Sequence, residues 1–323
     1  MDKADDYLSA ETRKRKSKIK CLKHVLNKLR KREKKLELKF EEGRGNKEKI
    51  SNELALIHAH RKKGLSLLKQ LKQERKEAKN AKRAKTKDWN LNGLEDEHLD
   101  MRTEAAMFQI LLGAPIEAAI APDFKPNTPD IVLLQEVVER TYFAHVKPHF
   151  QAAGFTLFPK EPSMRSYFEV VAVRQKVLDF SCEPFSYSQQ GRELTTLKLE
   201  GLTVLTAHLE SMNPGKHERI DQAQLIIDRM SELGPCVFAG DTNLREAEWE
   251  GLNHSNIKDA WRTAGAPKSH KVTWQQDQLK SRFDRAWVHQ VGVKSFETFG
   301  LDKVPTLDVR ASDHYGLRIE LDI

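Results

Sequence analysis

The chain has 323 residues, a formal net charge of +8 and 39% hydrophobic residues. This length can bury a large core and allows one big domain or two smaller ones. The three cysteines are odd in number and lack paired metal-ligand spacing, which favours free thiols in a reducing compartment over a disulfide framework. A charged amino terminus, and no apolar run near the roughly 20 residues of a membrane span, predict a soluble intracellular protein of the nucleus or cytoplasm, or of the nucleoid-associated cytoplasm in a bacterium.

Charge divides the chain into a basic arm and an acidic body. Residues 1–87 hold 30 lysines and arginines against 12 aspartates and glutamates, whereas residues 88–323 hold 25 against 35. We therefore predict a helical extension over residues 1–86 and a second domain over residues 87–323. The dense basic runs at 13–18 and 82–87 favour attraction to nucleic-acid phosphates or a nuclear localisation signal. The alternative is a helix face that is merely exposed to solvent.

The spacing of apolar residues in the arm predicts two helices. Apolar residues recur every three or four positions in two runs, which we call seams. Glu33 interrupts the first seam, and Arg61 and Gly64 interrupt the second. The seam residues are Ile19, Leu22, Leu26, Leu29, Leu36 and Phe40, then Ile50, Leu54, Ile57, Leu68 and Leu71. Stop and start signals lie between the seams at residues 42–46. An antiparallel hairpin and a coiled coil with a second copy in a homodimer both fit this pattern.

After the arm, short apolar runs alternate with helical and loop segments, which is typical of a layered α/β domain. The predicted strands are 131–134, 168–173, 202–207, 237–239, 286–289 and 317–321. The predicted helices are 101–112, 138–153 and 219–233. Acids, amides and imidazoles follow or precede several of these strands. A rigid sheet would deliver such polar groups to one rim.

Two polar residues near this rim suit a metal ion and a phosphate. Glu136 follows the apolar strand at 131–134, and a carboxylate there is a hard oxygen ligand suited to Mg²⁺. An ordinary surface glutamate that begins a helix is the alternative. Asn90 fits a turn residue equally well. Its functional interpretation is an amide that touches both the metal's water shell and a phosphate oxygen.

An acid, an amide and two imidazoles complete the candidate set. Asp241 and Asn243 are separated by one residue, so in extended backbone both side chains project to the same side. The acid would orient or deprotonate a water and the amide would hold a phosphate oxygen, whereas an Asx turn is the alternative. His208 and His314 lie beside strand ends, where imidazolium groups would neutralise charge developing on phosphorus. Lone histidines are more often satisfied by the core or the surface.

An imidazolium needs a carboxylate partner that fixes its tautomer and charge. Asp284, within the segment 282–285, is the predicted partner of His314. Arg245 adds a cation close to the same rim. Together these groups indicate metal-assisted cleavage of a phosphate ester.

These residues occur in the order and context of the endonuclease/exonuclease/phosphatase superfamily, which residues 88–323 resemble. Within it, the motifs resemble those of the 5′-tyrosyl-DNA phosphodiesterases most closely. The matching segments are Trp89-Asn90-Leu91-Asn92-Gly93-Leu94, Thr128 to Val137, His208-Leu209-Glu210-Ser211, Phe238 to Arg245, Thr273-Trp274, Arg282 to Arg285 and Ser312 to Leu317. One departure is Asp88, because the family usually has threonine there. An additional carboxylate at this place could alter metal affinity or crowd a phosphate.

The resemblance implies a deoxyribonuclease I-like fold, a four-layer α/β sandwich of two β-sheets flanked by helices, here preceded by the basic hairpin or coiled coil. It implies hydrolysis of the bond between a tyrosine side chain and the 5′ phosphate of DNA, the product of a trapped topoisomerase, in DNA repair. The implied catalytic residues are Asp241, His314, Asn243, His208, Asn90 and Asp284. The implied metal ligands are Glu136 and Asp313, for Mg²⁺ or alternatively Mn²⁺.

The resemblance also implies a substrate path for DNA with 5′-tyrosyl adducts, preferentially at single-stranded ends, and no membrane. Trp274 would stack on a terminal base, although burial in the core is an equal alternative. Tyr167, Arg192, Arg245 and Ser211 are the other implied substrate contacts. Arg219 and Gln222 would brace the loop after His208. The rival functions are an abasic-site endonuclease, a deadenylase and a non-catalytic nucleic-acid-binding adaptor.

Overall fold

The structure is a computed structural model that describes residues 3–80, 83–114, 126–162, 165–304 and 307–323. It separates into two compact units, Met1–Lys82 and Arg83–Ile323. The boundary predicted at residue 86 falls inside the first strand of the second unit, Arg83–Asn90. That strand begins with alternating basic residues that continue the composition of the arm. Charge alone therefore places the boundary a few residues too late.

The first unit is a hairpin of two helices, α1 (Lys3–Glu41) and α2 (Lys47–Asn80). The helices run antiparallel, because Arg32 pairs with Glu53 at 2.8 Å while Leu26 lies beside Gly64. A buried apolar cluster lies between them and consists of Leu36, Ile50 and Ile57. Of the two arrangements that fitted the sequence, the structure has the hairpin within one chain.

All three interruptions of the predicted seams have a packing reason. Gly64 allows close approach, since a Cβ there would lie 2.8 Å from Leu26 Cδ2. Glu33 is buried and contacts Arg61 of the other helix. Phe40 is 41% exposed, contrary to its predicted place on the seam, because α1 ends at the next residue. The side chain of Leu71 lies outside the described residues.

The second unit contains two six-stranded mixed sheets. Sheet 1 has the order β13-β16-β1-β2-β4-β3. Its strands are β1 (Arg83–Asn90), β2 (Ile131–Val137), β3 (Thr156–Phe158), β4 (Phe168–Val173), β13 (Gly292–Phe299) and β16 (Gly316–Asp322). Sheet 2 has the order β5-β6-β7-β8-β12-β9. Its strands are β5 (Val177–Pro184), β6 (Glu193–Leu199), β7 (Leu202–Thr206), β8 (Cys236–Asp241), β9 (Lys258–Asp259) and β12 (Asp284–His289).

Helices and two short hairpins surround the sheets. The hairpin strands are β10 (Trp274–Gln276) with β11 (Leu279–Ser281), and β14 (Lys303–Val304) with β15 (Val309–Arg310). The helices are α3 (Leu99–Leu112), α4 (Glu139–Thr141), α5 (Lys147–Ala152), α6 (Lys216–Glu232), α7 (Glu246–Glu250) and α8 (Ala260–Thr263). A π-helical segment, Tyr142–Val146, joins α4 to α5, and a 3₁₀ turn covers Lys268–His270. Among the helices of the described residues, none is long and apolar enough to cross a lipid bilayer.

Three apolar clusters define four layers, helix–sheet–sheet–helix. One lies between the sheets and includes Leu133 and Val237. A second packs α3 and the segment after β2 on sheet 1, and a third packs α6 on sheet 2. Strands of each sheet alternate between the inner cluster and an outer one, as a two-sided burial requires. The predicted four-layer sandwich is confirmed.

Candidate active site

The ends of six strands place the predicted polar residues at one edge of the two sheets. Strand β1 is parallel to β2, and β7 is parallel to β8, so Asn90, Glu136, His208 and Asp241 all lie at carboxyl ends. Strand β12 runs antiparallel to β8, and its register sets Asp284 directly opposite Asp241. Strand β16 likewise starts at this edge, two residues after His314.

A bulge aims Glu136 at the site. The register of β2 against β4 shifts between Leu134 and Val137, and Glu136 has a left-handed backbone with φ of 53°. Such a conformation is uncommon outside glycine and is found where a functional side chain must be re-aimed. Gly93 permits it, since a Cβ there would lie 2.0 Å from the Glu136 carbonyl oxygen.

Asp241 is the centre of the hydrogen-bonded cluster. The Asn90 amide donates to Asp241 Oδ2 at 3.0 Å and to Glu136 Oε1 at 2.9 Å. His208 Nε2 lies 3.3 Å from Asp241 Oδ2. The Asn243 backbone N–H donates to Asp241 Oδ1 at 3.0 Å, and Asn243 also has positive φ, 51°. The Asx turn that was the alternative interpretation of this segment is therefore present, and it orients the acid within the site.

His314 and Asp284 form the predicted pair. His314 Nδ1 lies 2.9 Å from Asp284 Oδ2, and its Nε2 lies 3.7 Å from Asp241 Oδ2. Asp284 is fixed by its backbone N–H, which donates to the Thr273 hydroxyl at 2.9 Å. Ser312 holds the loop, because its hydroxyl donates to the Asn90 carbonyl at 2.7 Å. All six predicted catalytic residues thus belong to one cluster.

The electrostatics distinguish the two imidazoles. Burial disfavours a charged His314, but Asp284 and Asp241 outweigh it and raise its pKa to about 10. Burial and the nearby Arg192 lower the pKa of His208 to about 3. His208 is therefore neutral near pH 7, which differs from the imidazolium expected from sequence. Burial would raise the pKa of Asp241, yet His314 and His208 lower it below its ordinary value.

Oxygen and nitrogen atoms converge at two places in this cluster. Ligand atoms of Glu136, His208 and Asp241 lie within 4.8 Å of one another, and so do those of Asp241, Asp284 and His314. The first group brings two carboxylates together, and burial raises the pKa of Glu136, so a divalent cation at Glu136 would offset the cost of holding its charge there. In the second group, His314 Nδ1 is already engaged by Asp284.

Asp313, the second predicted metal ligand, belongs to neither group. Its Oδ2 accepts a hydrogen bond from Trp274 Nε1 at 2.9 Å. Its Oδ1 is buried and has no partner among the described residues, which leaves it free for a water or an ion. Trp274 is half-buried, and its ring lies 5.2 Å from Phe283. The indole thus has a fixed orientation at the rim.

The implied substrate contacts fall on both sides of this cluster. The Arg192 guanidinium is buried 5.3 Å from the Tyr167 ring, which lies 6.0 Å from the His208 ring. Two of its nitrogens, Nε and Nη1, have no partner among the residues that the structure describes. On the opposite side, Arg245 Nη1 donates to the Asn243 carbonyl at 2.7 Å, and the guanidinium lies over Phe283.

Gln190 connects Ser211 to Arg192 and was not predicted. Its Oε1 accepts from Arg192 Nη2 at 2.8 Å and from the Ser211 N–H at 3.0 Å. Its Nε2 donates to the Ser211 hydroxyl at 2.9 Å. Ser211 itself makes this contact rather than one with the buried catalytic cluster. A glutamine in an irregular loop has no periodic or motif signal that could have singled it out.

A polar layer lies directly beneath the cluster, and of its residues only Asp88 was singled out from the sequence. Gln135 Nε2 donates to Asp88 Oδ1 at 2.8 Å and to the Thr206 hydroxyl at 3.1 Å. Asp88 is completely buried between the sheets. Alternation along β2 gives a usable signal, since Ile131 and Leu133 face the inner cluster and Gln135 continues the same face.

The predicted brace is present. Arg219 donates to the carbonyls of Glu210 and Met212 at 3.0 and 2.9 Å and makes two bonds to Glu248. Gln222 Oε1 accepts from the Glu210 N–H at 2.9 Å. These contacts fix the loop that follows His208 against α6 and α7.

Two packed mixed sheets with acids, amides and a carboxylate–imidazole pair at one edge define the class. The model of the endonuclease/exonuclease/phosphatase family matches residues 89–314, so the chain belongs to this family. Among curated relatives, tyrosyl-DNA phosphodiesterase 2 of Bos taurus is 28% identical over 264 residues, 73% of this chain and 66% of that protein. The Mus musculus protein of the same name is 29% identical over 263 residues, 73% and 65%.

Solved structures of proteins named TDP2 are also similar to this chain. A humanised Danio rerio TDP2 carrying 14 mutations superposes with a TM-score of 0.64 and 26% identity, over 75% of this chain and 100% of that one. Danio rerio TDP2 complexed with a single-strand DNA product gives a TM-score of 0.63 and 25% identity, over 75% and 99%. The chain spans about two thirds of the length of the curated relatives.

Proposed function

We propose that this protein hydrolyses the phosphodiester bond between a tyrosine side chain and the 5′ phosphate of DNA, as in the repair of trapped topoisomerase adducts. The observation that carries the proposal is the placing of Asp241 in contact with Asn90 and His208 and near the His314–Asp284 pair. The similarity to proteins named tyrosyl-DNA phosphodiesterase 2 supports this substrate. The single-strand DNA product bound to the Danio rerio protein supports a single-stranded end.

Asp241 accepts a proton from the attacking water. Its lowered pKa keeps it ionised at neutral pH, and Asn90 and the Asn243 N–H hold its orientation. The Asn243 side chain donates one amide hydrogen to the Leu209 carbonyl at 3.3 Å and has a second one for a phosphate oxygen, a contact that adds no negative charge. Both amide hydrogens of Asn90 are donated to Asp241 and Glu136, so Asn90 positions these two acids. The leaving group is a phenol with a reference pKa near 10, so it departs as phenolate more readily than a sugar hydroxyl would.

Protonated His314 neutralises charge that develops on the phosphoryl oxygens in the transition state. Its proton on Nδ1 is held by Asp284, which leaves Nε2 directed towards Asp241 and the phosphate. Neutral His208 contributes a hydrogen bond rather than a charge. Glu136, with Asp313 as a water-mediated second ligand, would hold Mg²⁺ or Mn²⁺. The ion would supply Lewis-acid stabilisation of the phosphate charge.

Release of tyrosine from a 5′-tyrosyl oligonucleotide, with and without a chelator, tests the proposal. We expect turnover that needs a divalent ion, and a loss of about 10²-fold or more in kcat for Asp241→Asn. Exposed Asp302→Asn serves as the matched control and should keep full activity. Thermal unfolding of both variants verifies that they fold.

Three outcomes would contradict it. Cleavage of abasic duplex or poly(A) in preference to the tyrosyl strand would indicate another chemistry of the same family. Binding of DNA with no turnover on any of these substrates would indicate an adaptor. Near-normal kcat in Asp241→Asn would remove the general base assigned here.

A further inference from the structure

A basic pocket adjoins the active site on the side of Arg245. It is a cavity of about 250 Å³ between the loop after β8 and the β10–β11 hairpin. Its charged lining residues are Arg245, Glu246, Lys271, Lys280, Arg282 and Arg285. Five of these six groups are cationic. Of these residues only Arg245 contacts the catalytic cluster, at the Asn243 carbonyl, and none of their charges has a role in the chemistry described above.

The arginines of the inner wall are paired with carboxylates, although Arg282 Nε and Arg285 Nε and Nη1 have no hydrogen-bond partner among the described residues. Arg282 makes two bonds to Asp259, at 2.8 and 3.1 Å, and both side chains are buried. Arg285 lies 3.1 Å from Glu246, whose carboxylate also accepts from Arg262 at 2.6 Å. These pairs build a rigid floor beneath the opening. They leave little net charge of their own.

The outer wall is different. Among the residues that the structure describes, no carboxylate forms an ion pair with the side chains of Arg245, Lys271 or Lys280, although the Arg245 backbone N–H donates to Glu248 at 2.9 Å. Lys271 and Lys280 are exposed, whereas Arg245 is partly buried by Phe283. Three cations face the same opening, and Glu246, the one acidic lining residue, is engaged by arginines. Such a concave excess of positive charge is suited to a phosphate oxyanion.

The pocket is continuous with the catalytic cluster through the backbone. Arg245 Nη1 donates to the Asn243 carbonyl at 2.7 Å, and Thr242 N–H donates to the Phe283 carbonyl at 2.9 Å. Phe283 lines the pocket and precedes Asp284, the partner of His314. Its ring also lies 5.2 Å from Trp274. A strand that leaves the cluster past Trp274 and Phe283 would meet these cations next.

We propose that this pocket binds an internal backbone phosphate of the DNA strand whose 5′ end occupies the active site. The proposal rests on the proposed function and deepens it, because it makes the enzyme prefer a tyrosyl oligonucleotide to a tyrosyl mononucleotide. Lys271 and Lys280 supply the charge, while Arg245 lies between the pocket and the cluster. The same chemistry could hold a free phosphate ion, which the experiment separates from a strand.

The test compares Lys271→Gln/Lys280→Gln with wild type on two substrates. For a tyrosyl hexanucleotide we expect kcat/KM to fall about tenfold, and the slope of its logarithm against log salt to fall by roughly 0.7 for one lost phosphate contact. For tyrosyl thymidine 5′-monophosphate we expect no change. The control Lys258→Gln/Lys268→Gln removes the same charge from exposed lysines outside the pocket and should leave both substrates unaffected.

A methylphosphonate scan then identifies the phosphate. At one position, a neutral methylphosphonate linkage should lower the kcat/KM of wild type by about the same factor as the two lysine substitutions do. The same linkage should not lower the kcat/KM of the lysine variant any further. Equal losses on both substrates, or no loss on either, would overturn the proposal. Inhibition by inorganic phosphate that disappears in the variant, without any sensitive linkage, would indicate a free-anion site instead.

If the proposed function is wrong, the pocket can still be tested by DNA binding. If wild type releases no tyrosine, the same variants are compared by fluorescence anisotropy with a 5′-phosphorylated hexanucleotide. A selective loss of affinity in Lys271→Gln/Lys280→Gln would support the pocket without the chemistry. If the variant bound the hexanucleotide with unchanged affinity, the proposed phosphate site in the pocket would be contradicted as well.

Discussion

At the scale of single residues, the site depends on which buried groups hold protons. Burial disfavours charge on both Asp241 and His314, and each is nevertheless held in its charged form by the other and by its remaining neighbours. Asp284 is decisive for His314, because it raises the imidazole pKa by its charge and by a direct hydrogen bond. One carboxylate therefore determines whether the site has a cation in place.

Asp284→Asn should move the alkaline limit of activity. The folded pKa of His314, about 10, keeps wild type protonated throughout the neutral range. Without the charge of Asp284, only Asp241 and Asp313 oppose the effect of burial, so this pKa falls and the imidazole loses its proton at a lower pH than in wild type. We expect kcat to fall by about 10²-fold at pH 8 and to recover partly at pH 6. A pH–rate profile from pH 6 to pH 9.5 checks this. Parallel profiles for the two proteins would contradict it.

Asp88 is a carboxyl group beneath the site, where the resembling family usually has threonine. Burial, with the charges of Asp284 and Asp241, raises its pKa well above the ordinary value, although Gln135 opposes the shift. A raised folded pKa means that the native state holds the proton more tightly than the unfolded chain. This group therefore lowers the stability of the fold as pH rises above the unfolded pKa.

Asp88→Asn should stabilise the protein more at pH 8 than at pH 5. The amide keeps the acceptor for Gln135 and cannot ionise. Between the unfolded and folded pKa values of Asp88, the gain should grow by about 1.4 kcal/mol for each pH unit. Urea unfolding of both proteins at several pH values measures the difference. A gain that is constant with pH would show that Asp88 does not hold its proton in the fold.

The residues that could be predicted were those with a local sequence signal. Asp241, Asn243 and the His314 segment follow or precede apolar strands within short motifs, and the structure brings them together. Gln190 and the raised pKa of Asp88 could not be predicted, because each depends on neighbours distant in sequence. The neutral state of His208 is of the same kind, since it arises from burial and from Arg192.

At the scale of elements, the sequence predicted central strands better than edge strands. Strands β2, β4 and β8 are almost wholly buried, so they appear as apolar runs. The edge strand β5 has little buried surface, and no apolar pattern predicts it. Strand β1 was missed because its first residues resemble the basic arm. The bulge at Glu136 could not be predicted from the sequence either, because it arises from the pairing of β2 with β4.

Glu33 and Arg61 are the charged residues that interrupt the two hairpin seams, and their side chains contact each other. Glu33 has a side chain 6% exposed, whereas that of Arg61 is 27% exposed, and His58 Nε2 lies 3.4 Å from the same carboxylate. The two departures from apolar spacing are thus complementary. An ion pair in a seam specifies register more than it stabilises the helices.

Removing one partner should loosen the hairpin more than removing both. Arg61→Leu leaves the buried Glu33 carboxylate with only His58 beside it, so we expect amide hydrogen exchange in α1 and α2 to accelerate by roughly tenfold or more. The double variant Glu33→Leu/Arg61→Leu completes the apolar seam and should restore wild-type exchange or slow it. Hydrogen exchange of the full chain, analysed by mass spectrometry, measures both. Equal acceleration in the single and double variants would contradict the expectation.

At the scale of the whole molecule, charge is distributed unevenly along the chain. The acidic body carries the catalytic cluster, and the basic residues of its pocket are local exceptions to its net charge. DNA is a polyanion, so an acidic body alone approaches it against a repulsive potential. The basic hairpin offsets this repulsion for the full chain, which predicts separate roles for the two units: association by the first and chemistry by the second.

Deletion of residues 1–82 should therefore weaken DNA binding without removing the chemistry. We expect affinity for a long single strand to fall about 10²-fold at low salt, because each lost phosphate contact removes roughly 0.7 from the slope of log affinity against log salt. The kcat on a saturating short tyrosyl oligonucleotide should be unchanged, since residues 83–323 have their own core. Replacing the basic residues at 13–18 with glutamine in the full chain distinguishes the effect of their charge on DNA affinity from the effect of losing the helices. A steep salt dependence that survived the deletion would assign DNA attraction to the body instead.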